Sequence, residues 1–166
     1  MHDEIELPSG ITFAVDSGNV VSISGPKGKA KKNLKLKGVK IKSDGKKISV
    51  EGAMRELNTV LSHIRNMIKG SKDGYSQKMK VLHAHFPMAI TVGPKELSIK
   101  NFVGEKKPRF SKIVGDTKVE LKGTDIMVTG PNKEDVCQTV ANMRTATKIR
   151  NRDSRVFQDG IYPVSE

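Results

Sequence analysis

The sequence states nearly the same thing twice. Ile48–Gly52, ISVEG, leads into AMRELNTVLSHIRNMIKG, and about eighty residues later Ile126–Gly130, IMVTG, leads into PNKEDVCQTVANMRTATK. Each copy is a short alternating stretch, a glycine, and a segment with helical spacing. Upstream, VSISGPKG (Val21–Gly28) has a counterpart in LSIKNFVG (Leu97–Gly104), a strand running into a glycine-ended loop. A chain that repeats a strand-and-helix unit is expected to fold as that unit twice.

The helices follow from spacing. Met54, Leu57, Leu61, Ile64 and Ile68 recur at intervals of three and four, which makes one apolar stripe, and Gly70 suits the position just past its end. Val136, Val140, Met143 and Thr147 repeat the rhythm. Pro131 and Asn132 mark a start there, and Glu134 and Asp135 fall in the first turn, where the helix dipole favours acids. Between the helices VVSIS, VKIK, KISV, KMKVLHAHF, ELSIK, KVELK and DIMV alternate apolar and polar residues. SDGK (Ser43–Lys46) reads as a hairpin turn, and VGDTK and KGTD look like similar punctuation. Alternation of this kind predicts half-buried antiparallel strands with one face in water. The expected class is α+β, built by internal duplication. Two tandem similar subdomains, residues 1–78 and 79–166, each carry a small, mainly antiparallel sheet with one helix packed on it. The junction falls in GSKDGYSQK (Gly70–Lys78).

Charge decides the class of partner. Thirty Lys and Arg face eighteen Asp and Glu, a net +12 over 166 residues. A compact domain with that imbalance repels itself, so a polyanion is the expected partner. Both halves are basic, with 15 cations against 8 acids up to Lys78 and 15 against 10 beyond it. The first half uses lysine, notably from Lys27 to Lys47. The second gathers arginine at its end, where Lys148, Arg150, Arg152 and Arg155 are interrupted only by Asp153. Lysine is a diffuse point charge, whereas the arginine fork can hold a phosphate with two hydrogen bonds. Aromatics are only 4% and Trp is absent, which leaves few stacking surfaces. The clear amphipathic stripes carry no strongly cationic polar face, so a membrane surface fits worst. The acidic start MHDEIELPSG has no apolar core of a signal peptide, and no apolar run reaches the ~20 residues a membrane span needs.

Individual motifs point the same way. GPKGKAKK (Gly25–Lys32) fails the Walker spacing, because Ala30 follows Gly28-Lys29 and Ile23 stands where the first glycine belongs. It reads as a basic hairpin tip that presents Lys27 and Lys29. VGEKKPRFSK (Val103–Lys112) places Lys106, Lys107, Arg109 and Lys112 around Pro108 and Phe110, in the position that GPKG holds in the first half. His83 and His85 share one face of a predicted strand. Two ligands fall short of the four a zinc site takes, so a half-buried pair is expected and no metal. Cys137 is the single cysteine, which excludes an internal disulfide and suits a reducing compartment; it is expected to pack beside the second stripe. No nucleophile and base spacing, metal triad or dinucleotide fingerprint is present, so neither catalysis nor a cofactor nor a small-molecule substrate is expected.

With these residues in hand a resemblance can be stated. Arg155-Val-Phe157-Gln-Asp159-Gly160-Ile161-Tyr162, after the basic cluster Lys148 to Arg152, resembles the C-terminal signature of the sixth protein of the large ribosomal subunit in its archaeal and eukaryotic form. VSISGPKG and the repeated strand and helix resemble that family too, and the likeness runs over essentially the whole chain. It implies two α+β subdomains from an old duplication, bound to large-subunit rRNA near the translation-factor-binding region and the sarcin-ricin loop, beside neighbouring ribosomal proteins, in the cytoplasm. It also implies a non-enzymatic role, with the C-terminal subdomain making the main RNA contacts. On this reading Lys106, Lys107, Arg109, Lys148, Arg150, Arg152 and Arg155 bind phosphates. Lys27 and Lys29 touch RNA or a neighbouring protein. Phe157, Ile161 and Tyr162 anchor the arm on its own subdomain. The alternative is a free-standing, sequence-tolerant nucleic-acid-binding module.

Overall fold

The structure, a computed structural model, describes residues 2–16, 19–34, 38–43, 47–83, 85–153 and 155–164. The chain is α+β, with two α-helices and four small antiparallel sheets among the described residues. It divides into two compact units: Met1–Gly74 with Pro131–Lys133, and Tyr75–Gly130 with Glu134–Glu166.

In the first unit β1 (His2–Glu6), β5 (Lys40–Ser43) and β6 (Lys47–Glu51) form a sheet in the order β1-β6-β5. Strands β2 (Thr12–Asp16), β3 (Val20–Gly25) and β4 (Gly28–Asn33) form a second, in the order β2-β3-β4. Registers put Ile5 opposite Ile48, and Ile23 opposite both Phe13 and Ala30. Alternation then buries Ile48 and Val50 on β6 and Val21 and Ile23 on β3 completely. Helix α1 (Met54–Lys72) packs Leu57, Val60, Leu61, Ile64 and Met67 into that core, each worth about 1.5–3 kcal/mol of burial.

Helix α1 departs from the stripe expected of it at both ends. Met54 is 60% exposed, and Gly70 is buried inside the helix instead of ending it. The reversal falls at Gly74, whose φ of +79° suits glycine and whose N–H reaches the Gly70 carbonyl at 3.0 Å. Ser71 explains the extra turn. It is fully buried, its Oγ donates to the Ile23 carbonyl at 3.5 Å, and its own carbonyl accepts the Lys27 N–H at 3.1 Å. The last turn of the helix therefore holds the β3–β4 tip. The SDGK turn lies outside the described residues beyond Ser43.

In the second unit β7 (Tyr75–Leu82), β11 (Lys118–Lys122), β12 (Asp125–Gly130) and β13 (Gly160–Pro163) form a sheet in the order β11-β12-β7-β13. Strands β8 (Ala89–Val92), β9 (Glu96–Lys100) and β10 (Arg109–Lys112) form the other, in the order β10-β9-β8. Helix α2 (Lys133–Ala146) starts with Glu134 and Asp135 in its first turn and contributes Val136 and Met143 to the core. That core also holds Met79, Val81, Leu97, Ile99, Phe102, Ile126, Val128 and Ile161. Cys137, expected to be packed, is exposed. One residue past Val136 it has turned about 100° away from the core face.

The duplication is visible in the pairing. Strand β6 lies between β1 and β5 just before α1, as β12 lies between β7 and β11 just before α2. Strands β3 and β9 are each the middle of a three-stranded meander. The repeated sequence pairs thus sit on the middle strands of both units. The second unit adds β13, which lengthens its sheet by one edge.

Candidate nucleic-acid interface

The basic loop of the second unit begins with a tight reversal. Asn101 (φ +58°), Val103 (φ +51°) and Gly104 (φ +77°) are left-handed, a conformation that a β-branched valine rarely adopts. Phe102 between them is 1% exposed and holds the reversal in the core. The chain then passes Lys106 and Lys107, both exposed, into β10.

Arg109, at the start of β10, is committed inside the unit. Its Nε donates to Glu105 Oε2 at 2.8 Å and its Nη2 to Glu105 Oε1, a two-pronged ion pair. Its Nη1 donates to the carbonyls of Ala146 at 2.8 Å and Lys148 at 3.3 Å, and its Cζ lies 4.4 Å above the Phe102 ring. One guanidinium therefore joins the loop, the core, the end of α2 and the root of the C-terminal arm. The Arg109 hydrogen bonds, followed by the charges of Arg109 and Arg152, hold the Glu105 carboxyl below its ordinary value of 4.5 against an opposing effect of burial. The Arg109 bond to the Lys148 carbonyl brings the root of the arm beside the loop.

Residues 147–160 form an arm clamped at both ends. At the root, Thr147 is 4% exposed; its Oγ donates to the Met143 carbonyl and accepts the Ile161 N–H, each at 3.1 Å. At the far end Asp159 is fully buried. Its Oδ2 accepts the His85 N–H at 3.4 Å and its Oδ1 lies 3.3 Å from His85 Nδ1. Ile161 then enters the core and β13 pairs with β7, placing Ile161 opposite Val81 and Tyr162 opposite Lys80. Phe157, half-buried, stacks with His85 at 4.8 Å between centroids and carries the Arg152 guanidinium at 4.8 Å from its own.

Between the clamps Lys148, Arg150, Arg152 and Arg155 are exposed. Asp153 shapes the bend, with its Oδ1 accepting the Arg155 N–H at 2.9 Å and its carbonyl the Phe157 N–H at 2.9 Å. The Arg155 side chain is 93% exposed and only 3.7 Å from Asp153, an ion pair that water largely screens. Among the described residues Lys106, Lys107, Lys148, Arg150 and Arg152 have no ion-pair partner. Arg109 thus ties the loop that carries Lys106 and Lys107 to the root of the arm that carries Lys148, Arg150 and Arg152. In the first unit Lys27 and Lys29 are exposed at a hairpin tip, where Gly25 pairs with Gly28.

Spacing placed Thr147 on the α2 stripe but did not reveal its bond to Ile161, nor the partners of Glu105 and Asp159, all of which tertiary packing brings in. The two histidines also differ from expectation. Strand β7 ends at Leu82, so both lie beyond it and both are exposed, with His85 turned to Asp159. No group of three or more metal-ligating side chains occurs among the described residues. No helix among them is long and apolar enough to cross a membrane.

Comparison with known proteins identifies the frame. The family described as Ribosomal protein L6 matches residues 86–160, the stretch that holds the loop, α2 and the arm. Over the full length the chain is 44% identical to the large ribosomal subunit protein uL6 of Methanosarcina mazei, covering 98% of this chain and 95% of that one. It is 43% identical to the uL6 of Methanocella arvoryzae (98% and 96%) and 39% identical to that of Saccharolobus solfataricus (98% and 93%). The chain belongs to the uL6 family of large ribosomal subunit proteins.

Proposed function

We propose that this protein is a structural, non-enzymatic component of the large ribosomal subunit in the cytoplasm, and that it binds rRNA with the second unit near the translation-factor-binding region. Residues 1–78 and 79–166 act as two subdomains of one clamp. Lys106 and Lys107 on the loop, and Lys148, Arg150, Arg152 and Arg155 on the arm, neutralise backbone phosphates. Arg109 positions them without touching RNA. Lys27 and Lys29 add weaker contacts from the first unit, to rRNA or to a neighbouring ribosomal protein. Membranes and small-molecule substrates have no part in the role.

The observation that carries this reading is the Arg109 junction: one side chain ties the loop to the root of the arm, so exposed cations of two segments are carried on one frame. Folded RNA is recognised largely by shape, phosphate and 2′-OH contacts, which such a frame suits. The test is sedimentation of cell extracts. The protein should travel with large-subunit particles, and the Arg150→Ala, Arg152→Ala, Arg155→Ala variant should be stripped at lower salt than wild type. Sedimentation of the wild type with free protein would contradict the proposal.

A further inference from the structure

A groove of about 500 Å³ opens between the last turns of α2, the root of the arm and strand β13. Ala141 and Arg144 of α2, Lys148 and Ile149 of the arm's root, and Phe157 and Tyr162 line it. We infer that this groove receives one unpaired nucleobase of the bound RNA, an inference that rests on the rRNA-binding reading above.

Three observations favour a base over an apolar side chain of a protein partner. First, the lining is mixed. Apolar and aromatic side chains line it together with Thr145 and Thr147, while Arg144 and Lys148 have no ion-pair partner among the described residues. A flat π-system attached to phosphates matches that combination. Second, Lys148 belongs to the same run of cations as Arg150 and Arg152, so phosphates held along the arm bring their bases to the groove. Third, Gly160 makes room for the aromatic wall. The Tyr162 ring lies over Gly160, where a Cβ would stand 3.0 Å from its Cε2 and 3.2 Å from its hydroxyl oxygen. A Cβ there would push the ring aside by a few tenths of an ångström. Phe157 already carries Arg152 and His85, which leaves the 38% exposed Tyr162 as the aromatic surface for a base. The volume lies in the range of small-molecule sites, so a single extruded base enters and a stacked duplex does not.

The full-length chain and protein-free large-subunit rRNA test this. Ala141→Leu fills the groove without removing a charge, and Tyr162→Leu leaves it open but takes away the ring. Each should weaken rRNA binding about tenfold, with the slope of affinity against salt unchanged. Ultraviolet cross-linking of the wild type should join a base to a peptide containing residues 157–162, and Ala141→Leu should abolish that adduct. If either variant fails to melt like wild type, the other decides. Wild-type affinity in the folded variants, with no adduct in that peptide, overturns the base site while leaving phosphate binding intact. Absence of rRNA binding by the wild type itself overturns the underlying reading, and the base site with it.

Discussion

Arg109 and Glu105 form a two-pronged ion pair, with Nε to Oε2 at 2.8 Å, and the same guanidinium reaches the Ala146 carbonyl at 2.8 Å. A residue in the middle of a basic loop is thereby spent on geometry. Arg109→Ala should cost about 1–3 kcal/mol in urea denaturation, because the Ala146 carbonyl loses its donor as the ion pair goes. Arg109→Lys should rescue little of it, since an ammonium cannot span both groups. Full rescue by lysine would mean that charge alone matters at this position.

The same pair gives the protein a defined acid response. The folded Glu105 carboxyl lies below the ordinary value of 4.5 that it regains on unfolding. Its contribution is present above that value and is lost as pH falls through the lower folded value. Glu105→Gln should therefore be less stable than wild type at about pH 7, and the gap should close below about pH 4.5. A gap that stays constant across that window would contradict the assignment.

The arm depends on its apolar end. Ile161 is 1% exposed in the second core, whereas Val156 is 59% exposed on the arm. Ile161→Ala should cost about 2–4 kcal/mol in thermal or urea melts. Val156→Ala should stay within about 0.5 kcal/mol.

In the first unit the hairpin tip tolerates no side chain at Gly25. An added Cβ would stand 2.5 Å from the Ser71 carbonyl oxygen, which is backbone and cannot move aside cheaply. Gly25→Ala should cost about 1–3 kcal/mol and speed hydrogen exchange of the Lys27 amide, now bonded to that carbonyl. Wild-type protection there would show that the tip does not need the helix.

Alternation marked every middle strand and two of the edges, β5 (in VKIK) and β11 (KVELK), and missed the other edges. ISVEG and IMVTG, like VSIS and LSIK, show alternation because a middle strand with one buried face needs an apolar residue at every second position. Strand β4, GKAKKN, buries only Ala30 among its lysines and reads as loop. Strand β13 is four residues long and ends in Pro163, which an edge accepts. The stripe of α1 gave its inner face but not its end, because the buried Ser71 and the hairpin it holds are brought there by packing. At the interface the cations were legible as composition. The internal bonds of this region were not: Arg109 finds Ala146 and Lys148 across 37 and 39 residues, and His85 finds Asp159 across 74. Contacts of that range leave no local pattern.

The central claim is that phosphate neutralisation by a pre-positioned arm drives binding. Affinity for protein-free large-subunit rRNA, measured across a salt series for wild type and for the Arg150→Ala, Arg152→Ala, Arg155→Ala variant, tests it most directly. The account predicts a folded variant whose log–log slope is shallower by about two to three units. An unchanged slope and affinity in a variant that melts like wild type would contradict it.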